Sequence, residues 1–254
     1  TDKGHYYGDS PVIVAHPSIW QSPLRVTNKI CGVGIFNPSP ASIEHVDVDF
    51  FLKVCMNDHL VAVTCDNDSH DVLEKIGIPD KATDTHFTFI EGDYADPRLL
   101  IGAIQEGKTY ASCDGTEIQD MNFPIGRNYP KVRHPHFTFK LILNDVPLVP
   151  PQIIVFRNGE NFSDLKSESW HNREVKYTFD DHEAKPGKYW YVLYAKGQFI
   201  TSPITLDVTG NTQDTINPGG SSHWQKGCIH YHSFYSDGGS KSIQEIWNSG
   251  RENS

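Results

Sequence analysis

The sequence predicts an α/β unit joined to an antiparallel β unit. Three observations carry this. In the first third of the chain, continuous apolar runs end in polar residues, the pattern of buried parallel strands with chemistry at their C-terminal edge. Residues 134–209 instead show alternating or short apolar strands separated by turn signals, the pattern of an antiparallel β-sandwich. Near the C-terminal end, Cys228-Ile229-His230-Tyr231-His232-Ser233-Phe234-Tyr235-Ser236-Asp237-Gly238 sets a His-x-His pair ahead of an Asp-Gly turn.

Taken in order, Pro11-Val12-Ile13-Val14-Ala15 reads as a buried strand that ends in His16-Pro17. Residues 29–37 repeat the form with Ile30, Val33, Ile35 and Phe36, then break at Asn37-Pro38-Ser39-Pro40. Mixed apolar and charged spacing predicts a helix over 44–56. Leu60-Val61-Ala62-Val63-Thr64-Cys65 is a third apolar strand, followed by Asp66-Asn67-Asp68-Ser69-His70-Asp71. A second helix is expected over 97–106, with Pro97 in its first turn. In the β unit, residues 137–143 alternate, Gln152 to Phe156 leads into the turn Asn158-Gly159, and strands follow at 175–179, 188–194 and 204–208. Residues 210–223 read as a polar linker. Ile243, Ile246 and Trp247 give residues 241–253 an amphipathic helical stripe.

Composition narrows the function classes. The chain has 254 residues, 37% of them hydrophobic and 21% charged, the balance of a soluble globular protein. No run approaches the roughly 18 apolar residues of a membrane span. A net charge of −10 favours neither nucleic acid nor an anionic membrane as a partner. Five cysteines without a CxxC pattern argue against a zinc ribbon and read as buried thiols. The opening residues Thr1 to His5 read as the start of a fragment, a mature form or one unit of a longer polypeptide. Asn67-Asp68-Ser69 and Asn161-Phe162-Ser163 are glycosylation sequons, and they tilt the localisation towards extracellular.

The chemistry sits in donor residues at strand ends. Residues two apart on a strand share a face, so His230 and His232 can aim both imidazoles at one ion, and Asp237 adds a hard oxygen from the turn. Asp68 and His70 repeat that spacing, while His16 and His5 follow a strand and a glycine. Imidazole and carboxylate together suit Mn, Fe or Zn. His134, His136, His171, His182 and His223 read as surface or sandwich residues, and Trp170 and Trp190 as sandwich core.

These motifs resemble those of the PHP (polymerase and histidinol phosphatase) domain family, and within it the CehA-like phosphoesterases. The resemblance rests on His230 to Gly238, on Gly4-His5, on His16-Pro17, on Asn67 to Asp71 and on residues 103–112. It implies an α/β plus β protein: an incomplete or permuted PHP-type β/α barrel with an Ig-like β-sandwich domain. Residues 1–118 would form the main part of the barrel and 119–209 the sandwich. After the linker, 224–254 would supply the first strand and helix of a PHP-like barrel, its own or a neighbour's. The family further implies two or three divalent metals (Mn, Fe or Zn) and a metal-bound hydroxide that attacks phosphorus. On that carry-over His230, His232 and Asp68 hold one ion, His5 and His16 a second, and Asp237 and His70 a third. Two functions stay open: hydrolysis of a small phosphate ester, or a catalytically degenerate structural subunit of an extracellular fibre or repeat. In the second, neighbouring copies of the chain complete the barrel and Asn67 and Asn161 are glycosylation candidates.

Overall fold

The computed structural model describes residues 12–14, 30–35, 45–56, 60–65, 87–92, 97–126, 128–210 and 224–227. Strands β1 (Val12–Val14), β2 (Ile30–Gly34) and β3 (Ala62–Thr64) form a small parallel sheet in the order β1-β2-β3. Helix α1 (His45–Cys55) lies between β2 and β3 in the chain. Its residues Val48, Phe51, Leu52 and Cys55 recur at i, i+3, i+4 and i+7, so one face is apolar, and that face packs on Val33, Ile35 and Val63. Truncating the fully buried Phe51 to Ala should cost about 3–5 kcal/mol. Helix α2 (Pro97–Gln105) contributes Ala103 and Ile104 to a separate cluster with Ala62, so the two helices pack with alternate residues of β3.

The larger part of the molecule is antiparallel. Strands β4 (Phe87–Glu91), β5 (Thr109–Ser112), β9 (Ile153–Arg157), β10 (Glu160–Leu165), β13 (Gly187–Ala195), β14 (Phe199–Thr201) and β16 (Trp224–Gly227) line up as β10-β9-β13-β14-β5-β4-β16. Strand β15 (Ile204–Val208) also pairs with β13 and, in parallel, with β7 (Asn128–Val132), making nine strands in all. A four-stranded sheet, β11-β12-β8-β6, comprises β6 (Glu117–Gln119), β8 (His136–Ile142), β11 (Ser169–His171) and β12 (Glu174–Asp180).

Alternation explains how these sheets meet. On β8 and β12, Phe137, Phe139, Leu141, Val175, Tyr177 and Phe179 are buried at every second position and face Val155, Tyr191, Leu193 and Leu206 of the nine-stranded sheet. The other face of that sheet carries Ala111, Cys113, Val192, Tyr194 and Ile200, which pack with α1 and the small parallel sheet. The hairpin from β9 to β10 turns on Asn158 and Gly159, with φ of 51° and 88°, the two left-handed positions of a type I′ turn.

The expected PHP-type β/α barrel with an Ig-like sandwich is corrected by this architecture. The described residues hold sixteen strands and only two helices, in three sheets, and no barrel. The physical reason lies in strand direction. A β/α barrel needs parallel neighbours all round, whereas β4 and β5 pair antiparallel with each other, β5 with β14 and β4 with β16.

A different device joins the α/β layer to the β layers. The edge of β3 away from β2 presents the backbone groups of Val63 and Cys65, and hydroxyls from the nine-stranded sheet and its connections meet them. Val63 N donates to Ser202 Oγ at 2.8 Å, and Thr109 Oγ1 donates to Val63 O at 2.6 Å. Cys65 N donates to Thr88 Oγ1 at 2.8 Å, and Thr88 Oγ1 donates back to Cys65 O at 3.2 Å. Buried backbone groups without partners cost about 1–3 kcal/mol each, so three side chains cap an edge that would otherwise be a liability.

Candidate metal centre

The candidate ligands His5, His16, Asp68, His70, His230, His232 and Asp237, and the sequon residue Asn67, all lie outside the described residues. The structure instead places the strand ends from which most of them depart. β1 and β3 run parallel in one sheet, so their C-terminal ends share an edge. His16 follows Val14 by two residues, and Asp68 follows Cys65 by three. The third departure point is Gly227, at the end of β16, three residues before His230. Gly227 is the ladder partner of Thr88, and the Thr88 hydroxyl is the one bonded to both backbone groups of Cys65. One buried threonine therefore links the end of β16 to the end of β3. Thr64, the last residue of β3, is fully buried, and its hydroxyl has no hydrogen-bond partner among the described residues.

The other sequon residue, Asn161, is exposed on β10, the outer strand of the nine-stranded sheet. Cys31, Cys55, Cys65 and Cys113 are thiols rather than disulfides. Burial pushes the Cys55 thiol up to about 12, against a smaller lowering by its hydrogen bond with the Val61 backbone, so it carries no thiolate near neutral pH. Cys55 lines a cleft of about 520 Å³ with Met56, Leu60, Lys188, Tyr189 and Trp190. Leu60 precedes β3, so this lining residue lies at the N-terminal end of that strand, away from the departure points above.

A group of donors that sequence reasoning passed over lies at one corner of the four-stranded sheet. His136 on β8 and Asp180 on β12 are direct ladder partners. The His136 ring Nδ1 lies 2.7 Å from Asp180 Oδ1, and His134 Nε2 lies 3.4 Å from the same oxygen. The His134 and His182 rings stack with centroids 5.8 Å apart. Burial is the largest single influence on the Asp180 carboxyl and pushes it up. The hydrogen bond and charge of His136, the hydrogen bond with His134 and the charge of His182 outweigh it and hold the carboxyl below its ordinary value. As placed, no three His, Cys, Asp or Glu side chains among the described residues form a metal-holding group. The signal that could have found this corner is the i, i+2 spacing of His134-Pro135-His136 and of Asp180-Asp181-His182, the same spacing that drew attention to His230-x-His232 and Asp68-x-His70.

No protein-family model, curated protein or solved structure matches the chain.

Proposed function

We propose that the chain is a metal-dependent phosphoesterase whose ions are held where β1, β3 and β16 end. The observation that carries this reading is the Thr88 link: it ties the strand leading to His230 and His232 to the strand leading to Asp68 and His70. Neighbouring strands lie about 4.8 Å apart, so the ends of β1 and β3 are separated by about 10 Å. An extended residue spans at most about 3.6 Å, so the two to four residues from each strand end to His16, Asp68 and His230 are enough for the donors to meet over the end of β2. Ligands outside the carboxyl ends of parallel strands are the rule in open α/β sheets.

The donor set fits a divalent transition ion: imidazoles from His5, His16, His70, His230 and His232, and carboxylates from Asp68 and Asp237. A bound ion supplies Lewis acidity, activating water and neutralising charge on phosphoryl oxygens. The chain's own part is positional. On an extended backbone an i, i+2 spacing brings two donors to one side, and the buried Thr64 hydroxyl at the end of β3 offers a polar contact.

The test is hydrolysis of p-nitrophenyl phosphate and its bis ester by the protein loaded with Mn²⁺, Fe²⁺ or Zn²⁺. Turnover that disappears in His230→Ala and in Asp68→Ala, with unchanged circular dichroism, supports the proposal. Absence of turnover on both esters with all three metals, or equal turnover in the variants, overturns it.

A further inference from the structure

We propose that His134, His136, His182 and Asp180 form a separate binding site for one divalent d-block cation on the outer face of the four-stranded sheet. The backbone already builds the frame. Asp180 opposes His136 in the β8–β12 ladder, and Asp181 N donates to Pro135 O at 2.9 Å one step beyond it. His134 and His182 follow as the next facing pair, their rings stacked. Phe137 and Phe179, one residue inwards, are buried in the core, so His136 and Asp180 face outwards by strand alternation. The four donors thus make a two-by-two array, one pair from each strand.

One pair of that array already has the spacing an ion needs, and the other donors reach it by side-chain rotation. Metal–nitrogen bonds of about 2.0–2.1 Å in tetrahedral geometry put donor atoms about 3.3 Å apart. Asp180 Oδ1 and His134 Nε2 are 3.4 Å apart. The 2.7 Å contact between Asp180 Oδ1 and His136 Nδ1 is a hydrogen bond, which an incoming ion replaces as the neutral ring changes tautomer, its one proton exchanging through solvent onto Nε2 so that Nδ1 is free to ligate. The remaining adjustment is rotation of side chains: His134, His136 and Asp180 are 43%, 46% and 32% exposed. Gathering the donors therefore requires no movement of the core.

Beneath the corner the chain is held firmly. Asp181 is fully buried and accepts two hydrogen bonds from Arg157 Nη1, both at 3.0 Å, and one from Tyr191 OH at 2.7 Å. Its Oδ1 also accepts from the backbone N–H groups of Glu183 and Ala184, at 3.1 and 3.0 Å. The backbone on both sides of His182 is thereby fixed. Three imidazoles and one carboxylate select Zn²⁺, Ni²⁺ or Cu²⁺ over Mg²⁺ or Ca²⁺, which prefer all-oxygen sites.

The experiment uses protein from which all seven proposed strand-end donors are removed (His5→Ala, His16→Ala, His70→Ala, His230→Ala, His232→Ala, Asp68→Asn and Asp237→Asn), so that the two sites are read apart. Zn²⁺ is titrated at pH 7.5 while the imidazole resonances are followed by NMR and stoichiometry by calorimetry. The expected result is uptake of one equivalent with shifts confined to His134, His136 and His182. Affinity should fall at least about tenfold when His134→Ala or Asp180→Asn is added, and Mg²⁺ should give no response. Because His134 and Asp180 are partly exposed, thermal melts will report whether those variants keep the fold. If they do not, His182→Ala takes their place. Unmoved resonances of the three histidines at millimolar Zn²⁺, or the same affinity in folded variants lacking one of the donors, overturn the site.

Discussion

Thr109 Oγ1 and Ser202 Oγ lie 2.9 Å apart, and together they meet both backbone groups that Val63 turns away from its own sheet. Thr109→Val leaves a buried carbonyl without its donor and should destabilise the protein by about 1–3 kcal/mol, while Thr109→Ser, which keeps the hydroxyl, should cost less. Because the two hydroxyls share one target, Thr109→Val and Ser202→Ala should combine to less than the sum of their separate effects. Urea melts of the two single variants and the double variant measure this. Strict additivity would mean that the hydroxyl pair is not one unit.

The close approach of Gly126 to Gly107 gives a sharper steric test. A Cβ built on Gly126 would sit 2.3 Å from the carbonyl carbon and oxygen of Gly107, and its φ of +74° already disfavours any side chain. Gly126→Ala should therefore cost more than about 3 kcal/mol or abolish soluble expression. Gly197 has a similar φ of +72° with open space around the added Cβ, and Gly197→Ala should cost only about 1 kcal/mol. Equal melting temperatures for the two variants would refute the steric account.

Asp181, Arg157 and Tyr191 form a buried charged network. The Arg157 guanidinium also lies over the Phe162 ring at 3.7 Å, so one side chain closes an ion pair and a cation–π contact together. Removing one partner strands the other charge, so Arg157→Met should destabilise by about 3–5 kcal/mol. Tyr191→Phe removes a single donor and should cost about 1.5–3 kcal/mol, as for a hydrogen bond to a charged group. Chemical denaturation of both variants will rank them, and a smaller loss in Arg157→Met than in Tyr191→Phe would contradict the network.

Acid should loosen the histidine corner. The folded Asp180 carboxyl is held below its ordinary value, so its contribution to stability is complete above the unfolded pKa of about 3.9 and is lost as pH falls through the lower folded value. Asp180→Asn should therefore lower the melting temperature at pH 6–7, by an amount that shrinks as pH falls through the carboxyl's lowered folded value. A melting-temperature difference that is constant with pH would rule this out.

How much of this was legible in the sequence differs from element to element. Both helices were readable because a 3.6-residue period is local, and α1 and α2 fall within a residue of the expected spans. The Asn158-Gly159 turn was readable because few residue pairs tolerate two left-handed positions in succession. Strand β4 was not singled out, and its partners could not be read at all. It pairs with β5 just downstream but with β16 far along the chain, and apolar spacing carries no record of direction or partner. The barrel was implied by the resemblance, and because of that gap nothing in the apolar pattern spoke against it. Strand β7 was hidden as well, because Pro130 interrupts it and Lys131 takes a φ of 62°, both contrary to strand propensity. At the candidate centre the donors could be listed from sequence, but not the Thr88 hydroxyl that ties two of their strands together, because that tie depends on β3 meeting the large sheet at one edge.

The pairing of β4 with β16 also sets an order of assembly. During synthesis β4 and β5 emerge early and can form their antiparallel ladder at once, whereas the outer edge of β4 must wait until residues 224–227 are made. Until then that edge is open to any passing strand, including the β16 of another molecule. When β16 closes it, Gly227 comes to lie opposite Thr88, whose hydroxyl meets the end of β3. Completion of the sheet and the joining of β16 to the end of β3 through Thr88 are thus a single late event in folding, and a chain caught before it would have its interior packed while one sheet edge was still open.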